Sequence, residues 1–324
     1  MVCAALILVV CAMAAGVRAQ QQDLSAAHQA YEKGEYERAI SLLKGMAARN
    51  PHDGEVHFWL TKCYLEAKRY DEAVKSGENA VAANPQSSLY HFVLGEAYGQ
   101  KADHASKLTA FGWARKTQKE FETAVQLDEH NYDAAQDLVD YDCTAPGIVG
   151  GGEDKAQPII QKLIKMDAAE GHYAAAVCKA DKKDAAGAEA EYTKALESKP
   201  KSAERLFEIG DYYAQHNNGD KVGAVAAQAQ TLAPKDLRTK YYQAVGSILK
   251  GENHPDRTKL LSTYLQEAPV RSTYPPKWEA HYWLGRLYAM QKDTAKAKDE
   301  YHEALQLDPK AKKAQDALKR VEGN

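Results

Sequence analysis

Apolar and small residues recur along most of the chain at helical spacing, in pairs of segments separated by short polar turns. The last pair is the clearest, with Trp283, Leu284, Leu287 and Tyr288 spaced for one face of a helix. After the polar turn at 291–293, a second helical set follows: Ala297, Tyr301, Ala304, Leu305 and Leu307. Pro309 then ends the segment, because proline cannot continue the helical hydrogen-bond ladder. The pattern predicts an all-α chain of helix pairs.

The pair recurs at a spacing of 34 residues. The matching positions are Tyr36 and Tyr70, Ala39 and Ala73, Pro51 and Pro85, His57 and His91, Leu60 and Leu94, Tyr64 and Tyr98, and Pro200 and Pro234. A unit of this length cannot bury its own apolar face, so it must stack on its neighbours. Such an array works through its surfaces, and the repeat therefore favours binding over catalysis.

These residues resemble the tetratricopeptide repeat (TPR) family. Its signature is an aromatic residue, Leu-Gly-x-x-Tyr on the first helix, then a small residue, an aromatic residue and Ala on the second helix, then Pro. The last repeat supplies Leu284, Gly285, Tyr288, Ala297, Tyr301, Ala304 and Pro309. The resemblance covers about residues 20–311. It implies a right-handed superhelical solenoid of about eight helix-turn-helix repeats with a C-terminal capping helix.

The register divides the chain into a leader and eight repeats. The predicted segments are a signal peptide at 1–19, then repeats at 20–53, 54–87, 88–131, 132–168, 169–202, 203–236, 237–277 and 278–311, and a capping helix at 312–324. The fourth, fifth and seventh repeats are degenerate. The third carries about ten extra residues around 101–113, and the fourth a long turn at 144–152. Insertions in solenoids map to loops and are often functional, so both breaks are candidate docking regions.

The N-terminus predicts export. Residues 2–17 form an apolar run that is short for a membrane span, and Ala19 with the polar residues after it suits cleavage by a signal peptidase. No Lys or Arg precedes the run, and a retained anchor or a lipoprotein acylated at Cys11 are the alternatives. We expect a location in the periplasm or cell envelope of a Gram-negative bacterium, with membrane contact only through the uncleaved signal peptide.

Charge and cysteine content narrow the functional classes. The formal net charge is -3, whereas proteins that bind nucleic acid usually carry an excess of positive charge. Nucleic acid is therefore not expected as a partner. After cleavage Cys63, Cys143 and Cys178 remain, and an odd number excludes a fully paired disulfide framework. We interpret the three cysteines as small packing residues.

Two motifs invite a chemical interpretation that their context does not favour. Gly150, Gly151 and Gly152 precede two carboxylates rather than the Lys and hydroxyl of a phosphate-binding loop, which favours a turn between helices. The surrounding stretch is similar to a segment of a subset of exported bacterial TPR proteins, and we keep Pro146, Gly147 and these glycines as a candidate docking loop. Four histidines occupy one repeat slot: His57, His91, His172 and His281. Stacking keeps equivalent slots roughly 8–10 Å apart, too far to share a metal, so a packing role is expected.

No catalytic motif appears, and we expect no enzyme activity, cofactor or metal. The family resemblance implies a concave groove lined by the residues just before the Leu-Gly pair and one turn beyond it. The candidate groove residues are Phe58, Trp59, Phe92, Tyr173, Phe207, Asp211, Tyr241, Tyr242, Tyr282 and Trp283. Aromatic anchors among acidic side chains suit a peptide segment or helix, so we predict a protein-binding scaffold with unidentified protein partners. A solenoid binding envelope polysaccharide on stacked aromatic rings is the alternative.

Overall fold

The computed structural model describes residues 21–252, 254 and 256–323, and within these residues the chain is all α-helical, as the sequence predicts. The leader at 1–19 lies outside them. The first eight helices are α1 (21–32), α2 (Tyr36–Arg49), α3 (Gly54–Glu66), α4 (Tyr70–Ala83), α5 (Ser88–Asp103), α6 (Lys107–Leu127), α7 (Tyr132–Thr144) and α8 (Glu153–Met166). The next nine are α9 (Ala168–Asp181), α10 (Ala185–Glu197), α11 (Ala203–Gln215), α12 (Gly219–Leu232), α13 (Leu237–Leu249), α14 (Asp256–Glu267), α15 (Lys277–Met290), α16 (Thr294–Leu307) and α17 (Lys312–Glu322).

The chain forms two compact units. Unit 1 comprises described residues 21–163 and 177–183, and unit 2 comprises 164–176 and described residues from 184 onward. In both units the two helices of most repeats are joined by turns of three or four residues, as the 34-residue register predicts, and the longest connections are 145–152 and 268–276.

Side-chain caps start many of the helices. On first helices of the repeats, the side chains of Asp53, Ser87, Asn131 and Ser202 accept a hydrogen bond from a backbone N–H of the first turn. On second helices, Asp184, Asn218 and Asp293 do the same. Each such cap satisfies a donor that the helix itself leaves without a partner.

The turn within a repeat uses one left-handed residue. Positive φ angles occur at Gly34, Lys68, Lys183, Asn217 and Gly251. Gly34 and Lys68 are 34 residues apart, and the same spacing separates Lys183 from Asn217 and Asn217 from Gly251. The turn geometry therefore repeats even where the residue type does not.

The glycine of the Leu-Gly pair lets two helices approach. A Cβ added to Gly285 would lie 2.4 Å from Tyr301 on the second helix, and one added to Gly95 would lie 2.5 Å from Phe121. The second-helix aromatic of the TPR signature fills the space that each glycine leaves. This contact is the centre of the repeat core.

The extra residues of the third repeat form helix rather than the loop that we expected. They lengthen α5 to 16 residues and α6 to 21, and the turn between them is only residues 104–106. Trp113 stacks on Tyr98 of α5 with 5.6 Å between ring centroids, and Lys116 lies over both rings. Because the added turns of α6 can pack on the equally lengthened α5, a helix is more favourable than a loop here.

The last helix covers the end of unit 2. α17 buries Ala314 and Leu318 against the neighbouring pair, where Leu318 packs in a cluster with Ala297 and Tyr301. Its other face carries Lys312, Lys319 and Arg320, which are exposed. The apolar face of α17 thus packs on the preceding helix pair, and its charged face is exposed.

Candidate functional site

The ten predicted groove residues divide by burial. Phe58, Trp59, Phe92, Tyr173, Asp211 and Tyr282 are partly buried, whereas Phe207, Tyr241, Tyr242 and Trp283 are at most 3% exposed. Burial leaves Tyr241 and Tyr242 without a surface to offer a partner, which corrects the prediction for these two, whereas Phe207 and Trp283 each line the cavity described below. All four rings fill the space between neighbouring helices of unit 2, where first-helix aromatics are needed for packing.

Trp59 in unit 1 is also engaged by its own chain. Its ring centroid lies 4.1 Å from that of His28, 5.4 Å from Tyr31 and 5.5 Å from Phe58, and the ammonium group of Lys62 lies 5.3 Å above it. Trp59 is thus partly buried among its own neighbours, and Trp283 is 3% exposed in unit 2.

A cavity of about 290 Å³ lies in unit 2. It lies between α11, the loop 268–276, the start of α15 and Lys313 of α17. Its lining residues are Glu204, Phe207, Glu208, Asp211, Ala214, Gln215, Ser272, Thr273, Tyr274, Pro275, Pro276, Glu279, Tyr282, Trp283 and Lys313. Four of the predicted groove residues line it: Phe207, Asp211, Tyr282 and Trp283. We call it the unit 2 cavity.

Asp211 is held by a tyrosine hydroxyl. The Tyr242 hydroxyl lies 2.6 Å from the Asp211 carboxylate and 3.0 Å from the carbonyl oxygen of Phe207. Burial raises the pKa of Asp211 to about 7, and nearby Glu279 and Glu208 act in the same direction. The Tyr242 hydrogen bond opposes the shift. Tyr242 thus positions an acidic group of the cavity instead of contacting a partner.

A second tyrosine holds Glu279 in the same way. Tyr241 donates its hydroxyl to the Glu279 carboxylate at 3.0 Å, and the indole N–H of Trp283 donates to the Tyr241 hydroxyl oxygen at 3.0 Å. Burial raises the pKa of Glu279, while Tyr241 and the positive charge of Lys313 lower it. The chain of bonds from Trp283 to Glu279 fixes this carboxyl against α13.

Two arginines beside the cavity are already paired. Arg238 donates to Glu204 at 2.7 Å, to Asp236 at 2.8 Å and to the Thr273 carbonyl at 2.9 Å. Its guanidinium lies 4.3 Å from the centroid of the Phe207 ring and 4.5 Å from that of Tyr274, which places it between two aromatic rings.

Arg205 is engaged in the same manner one repeat earlier. It donates to Glu170 at 2.8 Å, forms an ion pair with Glu208, and lies 4.0 Å from the centroid of the Tyr173 ring. Arg205 is buried and carries two carboxylate partners. Of the four acidic groups lining the cavity, Glu204 and Glu208 are therefore neutralised within the chain.

Most of the polar groups that line this site were not predicted from the sequence, among them Glu204, Glu279, Tyr274 and Lys313. Glu279 lies four residues before Trp283, one helical turn away on α15, and this spacing was the available signal. Tyr274 and Lys313 come from a loop and from the terminal helix, and nothing in the repeat register places either beside α11.

The candidate docking loop is held against α6. Gln118 donates to the Gly150 carbonyl and to Asp142, both at 3.0 Å, and Arg115 donates to the Ile148 carbonyl at 2.9 Å. Gly150 has a φ of 106°, and a Cβ on Gly151 would lie 2.1 Å from the carbonyl oxygen of Ala145. The glycines form a tight turn between α7 and α8, as predicted, and a side chain at Gly151 has no room.

The two breaks of the register therefore meet in unit 1. Arg115 belongs to the lengthened α6, and Ile148 lies in the long turn of the fourth repeat. Pro146 and Gly147 are exposed in this turn. Large apolar side chains of the same two segments are also exposed: Leu108 at 94% and Phe111 at 51% on α6, and Ile148 at 65% in the turn. Leu108, Phe111 and Arg115 share one face of α6 by their spacing. We call Leu108, Phe111 and Ile148 the α6 patch.

Cys143 and Cys178 form a disulfide between α7 and α9, with Cα atoms 5.5 Å apart, and Cys63 is a buried free thiol. The interpretation of all three as packing residues is wrong for this pair. The two positions are 35 residues apart and so occupy adjacent positions of successive first helices, which stacking brings together. Burial raises the pKa of the Cys63 thiol to about 12.

Each of the four recurrent histidines has a hydrogen-bond partner within the chain. The Nδ1 atoms of His91, His172 and His281 lie 2.5, 2.7 and 2.7 Å from glutamates of the following helix: Glu120, Glu191 and Glu300. His57 lies with Nε2 2.8 Å from the Pro51 carbonyl oxygen. Among the described residues no group of His, Cys, Asp and Glu side chains is arranged to hold a metal ion. Over the same residues, none of the helices has the length and apolar character needed to cross a membrane.

Comparison with known proteins places the fold. The sequence profile of the tetratricopeptide repeat matches residues 30–96 and, in a second form, residues 278–311. No curated protein matches the sequence. Among solved structures, human IFIT1, solved as a dimer with m7Gppp-AAAA, is 16% identical over 91% of this chain and 71% of that chain, with a TM-score of 0.50. At this identity the likeness concerns the fold alone.

Two bacterial TPR structures are also similar. A thermophilic TPR protein from Thermus thermophilus is 20% identical, with 70% of this chain and 98% of that chain covered and a TM-score of 0.45. A tetratricopeptide repeat protein from Parabacteroides merdae is 12% identical over 94% and 99%, with a TM-score of 0.41. The two profile matches, together with the helix pairs and the glycine–aromatic contacts within them, show that the chain contains tetratricopeptide repeats.

Proposed function

We propose that this protein is an exported, non-enzymatic scaffold that binds a segment of a partner protein at the unit 2 cavity. TPR proteins serve as scaffolds for protein–protein interaction, and the fold supports that general role here. The observation that carries the specific proposal is the cavity of about 290 Å³, whose rings and carboxyls are fixed by hydrogen bonds from α13. A preorganised concave site loses little entropy when a partner segment enters.

Several features support an extended segment as the partner. The cavity opens beside α11 and α15, the two first helices whose aromatic residues the sequence singled out. A helix with its side chains is about 10–12 Å across, so a cavity of this volume holds side chains rather than a whole helix. The backbone of the partner would then run along the first helices of unit 2, with a side chain in the cavity.

Export is supported by two observations. The apolar run at 2–17 is typical of a signal peptide, and a disulfide between Cys143 and Cys178 persists in oxidising compartments such as the periplasm. We propose the periplasm or cell envelope of a Gram-negative bacterium as the location. Mass spectrometry of the protein from an osmotic-shock fraction tests this. A first residue at Gln20 supports cleavage, whereas an intact leader or a lipid on Cys11 overturns it.

The binding proposal is tested by photo-crosslinking in intact cells. A photo-reactive amino acid replaces Gln215, which is exposed at the cavity, and in a matched control replaces Glu303, which is exposed on α16. We expect a specific protein adduct from position 215 that position 303 does not give. Identical adduct patterns from the two positions would contradict the proposal.

A further inference from the structure

The charge of the unit 2 cavity is unbalanced. Four carboxyl side chains line it, from Glu204, Glu208, Asp211 and Glu279, against the single ammonium group of Lys313. Lys313 is itself exposed on α17, so it lies at the edge of the cavity rather than inside it. The lining therefore carries an excess of negative charge.

Neutralisation within the chain reaches only half of these carboxyls. Arg238 pairs with Glu204, and Arg205 pairs with Glu208. Asp211 and Glu279 are instead held by the hydroxyls of Tyr242 and Tyr241. A tyrosine hydroxyl stabilises a carboxylate by hydrogen bonding but brings no positive charge. Arg238 acts on Asp211, and Lys313 on Glu279, only through space rather than in a direct ion pair. Desolvated carboxylates without a direct ion pair are costly, and an arriving cation would offset that cost.

The aromatic lining suits the stem that carries such a cation. Tyr282 is partly exposed, and Phe207 and Trp283 contribute the inner wall. Lysine and arginine side chains commonly lay their methylene groups along apolar surface while the charged end stays with polar partners. The aromatic rings of the cavity wall offer an apolar surface for the methylene groups, and the carboxyls of Asp211 and Glu279 offer polar partners for the charged end.

We propose that the unit 2 cavity receives one basic side chain, a lysine or an arginine, from the partner segment, with its charged end between Asp211 and Glu279. This inference rests on the proposed function and names the chemistry that the cavity recognises. Exposed Lys313 at the rim repels the incoming cation and so reduces the affinity for basic segments. Segments that also make favourable contacts with the rest of the first-helix surface are then bound in preference to others.

A displayed library of random 12-residue peptides, panned on the purified whole protein, tests this inference. We expect the recovered peptides to be enriched in Lys or Arg at one position. Their affinity should fall at least tenfold in the double variant Asp211→Asn/Glu279→Gln. The matched control, Asp299→Asn/Glu303→Gln, removes the same charge from the other helix of the last repeat and should leave the affinity unchanged.

A second variant acts in the opposite direction. Lys313→Ala removes an exposed side chain at the rim, so the fold is unaffected, and basic peptides should bind about two- to fivefold more tightly at low salt because a like charge has gone. Recovered peptides without an excess of basic residues, or equal binding to the Asp211→Asn/Glu279→Gln variant, overturn the inference and leave the proposed function standing. If no peptide is recovered from the wild-type protein, both fail.

Discussion

Tyr242 fills the space left by Gly210 and places its hydroxyl 2.6 Å from the carboxylate of Asp211, the next residue along α11. In the last repeat the equivalent glycine, Gly285, is filled by Tyr301 of its own second helix. By the same spacing, the position that corresponds to Tyr301 in the sixth repeat is Ala226. Because alanine leaves space at this position, Tyr242 of the next repeat packs against Gly210 instead, and its hydroxyl reaches Asp211 of the cavity lining.

Removing this hydroxyl tests its role. Tyr242→Phe keeps the ring, which stacks on Phe207 at 5.5 Å between centroids, but leaves the buried side of Asp211 without its donor. We expect a loss of about 1–3 kcal/mol in the free energy of unfolding, measured by urea denaturation. Tyr70→Phe, whose partly buried ring lies against His104 in unit 1, is the control. Equal losses in the two variants would contradict the assigned contact.

Asp211 also predicts a pH dependence of stability. Its pKa is raised from 3.8 to about 7 in the folded chain, so between these values the folded state binds more protons than the unfolded state. Stability due to this group therefore falls as the pH rises from about 4 to 7, by at most about 1.4 kcal/mol per pH unit. Four other groups that carry a charge or a titratable proton face Asp211: Glu208, Glu279, Arg238 and Tyr242. They are present in the wild type and in a variant at position 211 alike, so a comparison of the two isolates Asp211.

Asp211→Asn isolates that contribution. We expect the thermal midpoint of the wild type to decrease between pH 5 and pH 7 more than that of the variant, since the variant lacks the titrating group. Asp299→Asn, at an exposed position of α16, should follow the wild type. Parallel pH profiles for the wild type and Asp211→Asn would show that the carboxyl is not desolvated.

The repeat core could be predicted from the sequence, because it depends on local spacing. In the third and last repeats the glycine of the Leu-Gly pair meets the aromatic residue of its own second helix, and the structure brings Gly95 to Phe121 and Gly285 to Tyr301. Helix pairs follow from the same periodicity. These features need only neighbouring residues and their repeat, which a single sequence contains.

The cavity could be predicted only in part. Phe207, Asp211, Tyr282 and Trp283 share the first-helix register, but whether a ring at that register is exposed depends on the neighbouring helix. Tyr241 and Tyr242 are buried because α13 lies between α11 and α15, and this burial does not show in their spacing. The disulfide was missed for a similar reason, since an odd cysteine count does not say which two thiols meet.

Two glycine substitutions test the close helix approach. Gly285→Ala places a Cβ within 2.4 Å of the Tyr301 ring and should destabilise the protein by about 1–3 kcal/mol. Gly45→Ala in α2 meets no atom within 4 Å and should stabilise it by about 0.5–1 kcal/mol, since alanine is the better helix former. Urea denaturation measures both, and the same sign for the two variants would contradict the packing described.

The disulfide predicts a redox dependence of stability. Replacing both Cys143 and Cys178 by Ala should lower the free energy of unfolding by about 2–4 kcal/mol, because the bond restricts the unfolded chain. In the chain from Gln20 onward, thiol titration in denaturant should find only Cys63 before reduction and all three cysteines afterwards. Three reactive thiols in unreduced protein isolated from the periplasm would contradict the bond.

The most direct test of the central claim compares two surfaces for the same partner. Once photo-crosslinking has identified a partner, its Kd is measured for the wild type, for Gln215→Trp, which narrows the unit 2 cavity, and for Leu108→Asp/Phe111→Asp, which makes the α6 patch polar. We predict that Gln215→Trp weakens binding at least tenfold and that the double variant binds as the wild type does. Unchanged binding by Gln215→Trp with loss of binding by the double variant would contradict the account and assign the partner to the α6 patch.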